Sequence, residues 1–271
     1  VPTMRVLIGS SPEEVARIAA DNVLAGLAHH SAGAPSNLGL ATGSSPLGLY
    51  RELSRAVQEG RADFTDTQGF ALDEYIGIPD THEQSYRQTL INEVCNVIGL
   101  PARCLHVPQG MAASVEAIET AARAYDASIA QAGGIHVQIL GIGSNGHLGF
   151  NEPGSALRSR TRIKRLAANT REDNARFFDG IEHVPTHCVT QGLGTILDAS
   201  RLVLVAVGAG KARAIAAAVE GPLSASCPAS VLQLHQDAVV VVDEAAAKGL
   251  KLREYYDDAA EELTVVDLVV S

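Results

Sequence analysis

Leu38-Gly39-Leu40-Ala41-Thr42-Gly43-Ser44-Ser45-Pro46 joins a short apolar run to a helical pattern through a loop of small residues. Read as a strand, a tight turn and a helix start, the stretch predicts the fold, because the same grammar recurs along the chain. Apolar, often β-branched runs at Met4–Ile8, Leu38–Thr42, Gln68–Leu72, Ile135–Gly141, Leu202–Val207 and Val239–Val242 suit strands buried on both faces. Helical patterns stand between them. One follows Ser10-Ser11-Pro12-Glu13-Glu14, where serine is a good N-cap and proline sits well in a first turn. Another runs from Pro46 towards Glu59, with Leu49, Tyr50, Leu53 and Val57 on one face and Pro46 at its first helical position. Two more cover Ala113–Gln131 and Lys211–Val219, and the acidic tail Ala245–Ser271 is expected to pack outside as a helix. This alternation predicts an α/β fold: one domain over residues 1–271, an open, mostly parallel Rossmann-like sheet with helices on both faces. Ligands in such folds bind at the carboxyl ends of the strands, where the motifs below fall.

Composition narrows the class. Hydrophobic residues make up 46% of the 271 residues and charged residues 19%, a globular balance with ample material for a core. No apolar run approaches the roughly 20 residues that span a bilayer, and the first ten residues lack the pattern of a secretory leader. Cys95, Cys104, Cys188 and Cys227 are scattered and form no C-x-x-C pair, so reduced core thiols and a cytoplasmic location are expected. The formal net charge of −10 disfavours nucleic acid and anionic membranes as partners. It also requires any phosphate site to rest on local backbone donors and a few placed cations.

Two junctions could hold such an anion. Thr42-Gly43-Ser44-Ser45, just before a helix, offers hydroxyls and a backbone that can approach a ligand closely; an ordinary capped turn reads the same way. At Val207-Gly208-Ala209-Gly210-Lys211-Ala212 the spacing of a nucleotide P-loop fails twice, because Val205 replaces the first glycine and Ala212 the Ser or Thr. ATP is therefore not expected, although Lys211 remains available as a single cation.

Gly141-Ile142-Gly143-Ser144-Asn145-Gly146 spells a dinucleotide fingerprint, but its context breaks it. His147-Leu148-Gly149-Phe150-Asn151-Glu152-Pro153-Gly154 cannot open a good helix, and the basic run Arg158–Arg165 stands where an acid should follow. The loop reads better as a catalytic turn. His147 can move protons near neutral pH, and Glu152, held extended by Pro153, can converge with it on one ligand. Asp73 and Glu74 end another apolar run; one should point inward and the other away, so either is a candidate general base. His82 and Glu83 lie nearby without a recognisable metal-ligand spacing, and no metal is expected.

Leu-Asp-Glu-Tyr at 72–75, Gly-Ile-Gly-Ser-Asn-Gly-His-Leu-Gly-Phe-Asn-Glu-Pro-Gly at 141–154, Ser-Arg-Thr-Arg-Ile-Lys at 159–164 and Val-Glu-Gly-Pro at 219–222 together resemble the glucosamine-6-phosphate deaminase family. The resemblance runs from the Thr42 loop to Val-Val-Asp-Glu at 241–244, and Phe-Asn-Glu-Pro after Gly-His is its specific part. It implies conversion of glucosamine 6-phosphate to fructose 6-phosphate and ammonia without a cofactor. It also implies roles. Asp73 would carry a proton from C2 to C1, and His147, assisted by Glu152, would open the sugar ring. Thr42, Gly43, Ser44, Ser45, Arg171 and Lys211 would hold the phosphate, with a lid at about residues 161–183.

Asn145 stands where some members of the family carry Asp. It can orient the His147 ring by a hydrogen bond but brings no charge, so a different pH optimum is expected. Ser155, Arg162 and Lys164 match positions that in some members hold the phosphate of an allosteric effector, N-acetylglucosamine 6-phosphate, at a subunit interface. A homo-oligomer, up to a hexamer, or a monomer would both fit the resemblance. The rivals are a lactonase or isomerase on the same fold and a sugar-phosphate-sensing regulator domain. Asp73 with Phe150-Asn151-Glu152-Pro153 disfavours the first, and the absence of a basic DNA-binding segment in the sequence disfavours the second.

Overall fold

The computed structural model describes residues 4–29 and 35–260. Among the described residues ten strands lie in chain order: β1 Arg5–Gly9, β2 Asn37–Leu40, β3 Gln68–Ala71, β4 Asp73–Tyr75, β5 Leu105–His106, β6 Val137–Leu140, β7 Arg162–Arg165, β8 His187–Thr190, β9 Arg201–Ala206 and β10 Ala238–Asp243. Seven form one sheet in the order β1-β10-β9-β6-β2-β3-β5, and every neighbouring pair in it is parallel. All residues of β2, β6 and β10 are buried, as strands covered on both faces must be. All six runs read as strands from the sequence are strands of this sheet.

The chain builds outward from β2 to β3 and β5, then returns to β2's other side with β6, β9 and β10. The order therefore reverses between β2 and β6. A crevice opens at such a reversal, because the connections leaving the two strands depart to opposite sides. The loops that leave β2 and β6 are 41–46 and 141–147.

Ser11 caps the helix Pro12–Ala28 by accepting from the Glu14 N–H at 3.2 Å, with Pro12 in the first turn. Along this helix the buried side is small at Ala16, Ala19, Ala20 and Gly26. A Cβ on Gly26 would come within 2.6 Å of Val137 on β6, so the helix needs glycine there to lie this close to the sheet. After the Thr42 loop the helix is Leu47–Gln58, and Pro46 holds the N-cap rather than the first helical position, its carbonyl accepting from the Tyr50 N–H at 3.0 Å. The helix expected from Ala113 is Val115–Gln131, capped by Ser114, and that expected from Lys211 is Ala212–Val219 after a short 3-10 turn. Short helices at Glu244–Ala247 and Arg253–Ala260 occupy the start of the C-terminal tail, whose remainder lies outside the described residues. All four cysteines are unpaired, and Cys95, Cys188 and Cys227 are buried.

The unforeseen part is a small antiparallel sheet, β4-β8-β7. The chain leaves β3 at Ala71, passes Leu72 and enters β4 at Asp73, changing sheets within one residue. Leu72 ties both sheets, its N–H donating to Leu40 of the large sheet at 3.2 Å and its carbonyl accepting from Gln191, just past β8, at 2.7 Å. Asp73 thus begins a second strand instead of trailing off a strand end into solvent. The span 161–183 is likewise more ordered than a bare loop: β7 belongs to this sheet, and the helix Ala168–Asn174 and two 3-10 turns follow it.

Candidate active site

A cleft of about 190 Å³ opens at the carboxyl ends of β2, β3 and β6, where the strand order reverses. Thr42, Gly43, Ser44 and Ser45 line it from the β2 side, with Gly43 at a φ of +94° that a side-chain-bearing residue rarely adopts. Asp73, His147 and Lys211 line it too. Residues that follow four separate strands of the large sheet, β2, β3, β6 and β9, therefore meet in one place.

Asp73 and Glu74 face opposite ways, as strand alternation demands. Glu74 turns from the cleft and accepts from the backbone N–H groups of Tyr75, Tyr86 and Arg87 at 2.8, 2.9 and 3.0 Å, so its work is to hold the start of the helix Tyr86–Leu90. Asp73 is 5% exposed and lies opposite Thr190 in the β4–β8 ladder. Burial, reinforced by the neighbouring Glu74 charge, pushes its carboxyl up to about 8, against hydrogen bonds from Thr190 and the Phe150 N–H that pull it down. Gly149 makes room for it: a Cβ there would stand 3.0 Å from both Asp73 Oδ2 and Thr190 Oγ1.

The loop after β6 folds back on itself, with Gly143 N–H donating to His147 O at 3.0 Å and Gly146 N–H to Gly143 O at 2.9 Å. The His147 ring lies against Gly143 so closely that a Cβ would sit 2.2 Å from its Cε1. His147 Nδ1 is 3.6 Å from Glu152 Oε2 and buried without a hydrogen-bond partner. Burial pushes the Glu152 carboxyl up, but His147, Thr170 and Asn145 outweigh it and hold the group at about 2. Asn145 does not reach the imidazole ring. Its Nδ2 donates to Glu152 Oε2 at 2.9 Å and its Oδ1 accepts from the His147 backbone N–H at 3.2 Å. The expectation that Asn145 orients the ring is corrected on this point: it holds the acid and the loop, and the acid faces the ring.

Lys211 and Arg171 part company. Lys211 Nζ donates to the Ile142 carbonyl at 2.7 Å on the cleft wall, and burial lowers its ammonium below the ordinary range. The Arg171 guanidinium instead donates to the carbonyls of Ile181 at 2.6 Å and Val184 at 3.1 Å, bracing the loop behind it, and does not line the cleft. Arg176 lines the cleft in its place. Arg171 lies in the helix Ala168–Asn174 and Arg176 in the 3-10 turn Ala175–Phe177 beyond it, and the sequence alone offered no way to choose between them. Tyr86, Thr170 and Asn174 also line the cleft and were not singled out from the sequence. Ser155, Arg162 and Lys164 stay outside it. Ser155 Oγ is buried and unpartnered, Arg162 donates to Asn151 Oδ1 at 2.9 Å, and Arg162 and Lys164 share one face of β7.

Residues 10–241 match the family described as Glucosamine-6-phosphate isomerases/6-phosphogluconolactonase. The chain is similar to the glucosamine-6-phosphate deaminase of Rhodococcus jostii (strain RHA1), with 54% identity over 258 residues, 95% of this chain and 97% of that one. It is 54% identical over 253 residues to the glucosamine-6-phosphate deaminase of Cutibacterium acnes (strain DSM 16379 / KPA171202), covering 93% of this chain and 95% of that one. Among solved structures, a monomeric glucosamine-6-phosphate deaminase superposes with a TM-score of 0.85 at 36% identity, covering 91% of this chain and all (100%) of that one. The 6-phosphogluconolactonase from Trypanosoma cruzi shares the fold alone, at a TM-score of 0.70 and 18% identity over 92% of this chain and 98% of that one.

Proposed function

The chain belongs to the glucosamine-6-phosphate isomerase/6-phosphogluconolactonase family, and from that premise we propose that it deaminates glucosamine 6-phosphate to fructose 6-phosphate and ammonia. The observation that carries this reading is the buried Asp73 carboxyl in the same cleft as the His147–Glu152 pair and the Thr42–Ser45 loop.

Each group has chemistry suited to a step. The hydroxyls and glycine of the 42–45 loop, with Lys211 and Arg176 as cations, anchor the phosphate and fix the reacting carbons. His147, paired to an ionised Glu152, moves the proton that opens the sugar ring. Asp73, a stronger base than an exposed aspartate, takes the proton from C2 and returns it to C1. The resulting C2 imine takes up water and releases ammonia. Residues 166–183, beyond β7, serve as a lid that covers the cleft while Asp73 carries the proton from C2 to C1. Ser155, Arg162 and Lys164 form the site of a phosphorylated effector, which addition of N-acetylglucosamine 6-phosphate to the rate assay tests.

Ammonia release from glucosamine 6-phosphate by wild type and Asp73→Asn tests the reading. Wild type should turn over and the variant should lose at least about 10²-fold, the lower range for a positioned base. A folded wild type that releases no ammonia refutes it.

A further inference from the structure

Glu152 has more partners than pairing with His147 requires, and its two oxygens divide them. Oε2 faces the acid–base side, 2.9 Å from Asn145 Nδ2 and 3.6 Å from His147 Nδ1. Oε1 faces the helix Ala168–Asn174, accepting from Thr170 Oγ1 at 2.5 Å and from the Ala167 N–H at 3.3 Å. The terminal torsion of a glutamate is soft, so its backbone position does not aim Oε2. A carboxylate is rigid, however, and gripping one oxygen orients the other.

The donor of the strongest grip sits on the segment expected to move. Thr170 is 5% exposed, on the side of its helix that lines the cleft. Four residues on, and so on the same face, Asn174 Nδ2 donates to Tyr75 Oη at 3.1 Å, and Tyr75 Oη lies 3.3 Å from Tyr86 Oη. The helix is therefore seated at two points, one on Glu152 and one on the tyrosine pair beside the Thr42 loop. Lifting it removes both Oε1 donors and leaves Glu152 held by Asn145 alone.

We propose that Thr170 is a positioning residue: its hydroxyl, by gripping Glu152 Oε1, makes seating of the helix Ala168–Asn174 the condition for presenting Oε2 to His147. The inference rests on the deaminase reading and adds a device to it. The ring-opening pair is armed only when the cleft is covered, so a proton is moved only where water is excluded.

The test compares wild type, Thr170→Ser, Thr170→Val, Glu152→Gln and the Thr170→Val/Glu152→Gln double variant. Loss of a hydrogen bond to a charged group should lower kcat in Thr170→Val by about 10-fold or more, with KM within about threefold. Thr170→Ser should retain the wild-type rate. The double variant should be no slower than Glu152→Gln, because Thr170 acts through that carboxylate. Multiplying losses in the double variant, equal losses in Val and Ser, or a change in KM alone would overturn the proposal. Amide exchange across Ala168–Asn174 supplies a readout without turnover: it should quicken alike in Thr170→Val and Glu152→Ala, and stay unchanged in Thr170→Ser and in Glu152→Gln, whose amide oxygen still accepts from Thr170. Should wild type release no ammonia, the deaminase reading falls, and this exchange comparison alone upholds or overturns the hold of Glu152 on the helix.

Discussion

Asp73→Asn should stabilise the protein while disabling it, and by an amount that depends on pH in a defined way. The folded protein holds the Asp73 carboxyl near 8, through burial first and the Glu74 charge second. In the unfolded chain an aspartate titrates near about 4. Between these limits the native state keeps a proton that the unfolded state has lost. Raising the pH therefore favours unfolding, by about 1.4 kcal/mol per unit. Stability from this group is complete below about pH 4 and is lost as pH climbs towards 8. Asparagine resembles the neutral carboxyl in shape and does not titrate. The advantage of the variant should thus grow by about 2.7 kcal/mol from pH 5 to pH 7, and level off above pH 8. Titrations common to both proteins cancel in the difference. The chain has no tryptophan, so urea unfolding followed by far-ultraviolet circular dichroism at pH 5, 6, 7 and 8 is the appropriate assay. A difference that stays constant over this range would mean that Asp73 is ionised throughout in the folded state, and the argument from burial would fail. The same ionisation links stability to activity, because only the charged carboxylate accepts a proton. The rate at limiting substrate should accordingly rise with pH through about 8 as stability falls.

Asn145→Asp replaces an amide donor 2.9 Å from Glu152 Oε2 with a second carboxylate. Two acids at that distance cannot both stay ionised easily, so a proton shared between them should weaken the carboxylate opposite His147 and lower kcat by about 10-fold or more; an unchanged kcat would refute the placement of Asn145. Arg176→Ala should raise KM for the sugar phosphate by about 10-fold or more, as loss of a charge-assisted contact predicts, whereas Arg171→Ala should cost far less in KM and loosen the loop at Ile181 and Val184. Steady-state kinetics of both variants checks the order, and the reverse order would return the phosphate contact to Arg171.

The large sheet was legible because its strands answer to one demand. Val-Val-Val-Val at 239–242 and Leu-Val-Leu-Val-Ala at 202–206 are buried on both faces, so apolar β-branched runs announce them without competition. The small sheet was not legible, for a related reason. Arg-Ile-Lys-Arg in β7 is only half covered, and Asp73-Glu74-Tyr75 in β4 carries two acids whose tasks are local: one faces the cleft and one receives three backbone N–H groups. Such residues are chosen for where a side chain must point, and period-two hydrophobicity disappears from the strand that carries them.

The same competition explains which site residues could be read in advance. His147 and Glu152 lie five positions apart on one irregular loop, and Gly143 and Gly149 betray the close approaches that loop must make. The resemblance named Asp73, but the residues alone could not choose it over Glu74; the change of sheet at Leu72 and the pairing of Asp73 with Thr190 fix which acid turns inward. Arg176 and Thr170 needed more still. They belong to a short helix and turn whose position depends on contacts far away in sequence, Glu152 for Thr170 and the tyrosine pair for Asn174. No local period encodes such contacts. A residue whose role is to seat a covering segment is recognised by what it touches across the cleft, which is why the structure was required to find Thr170 and why its partnership with Glu152 is the part of the site that mutation can test most directly.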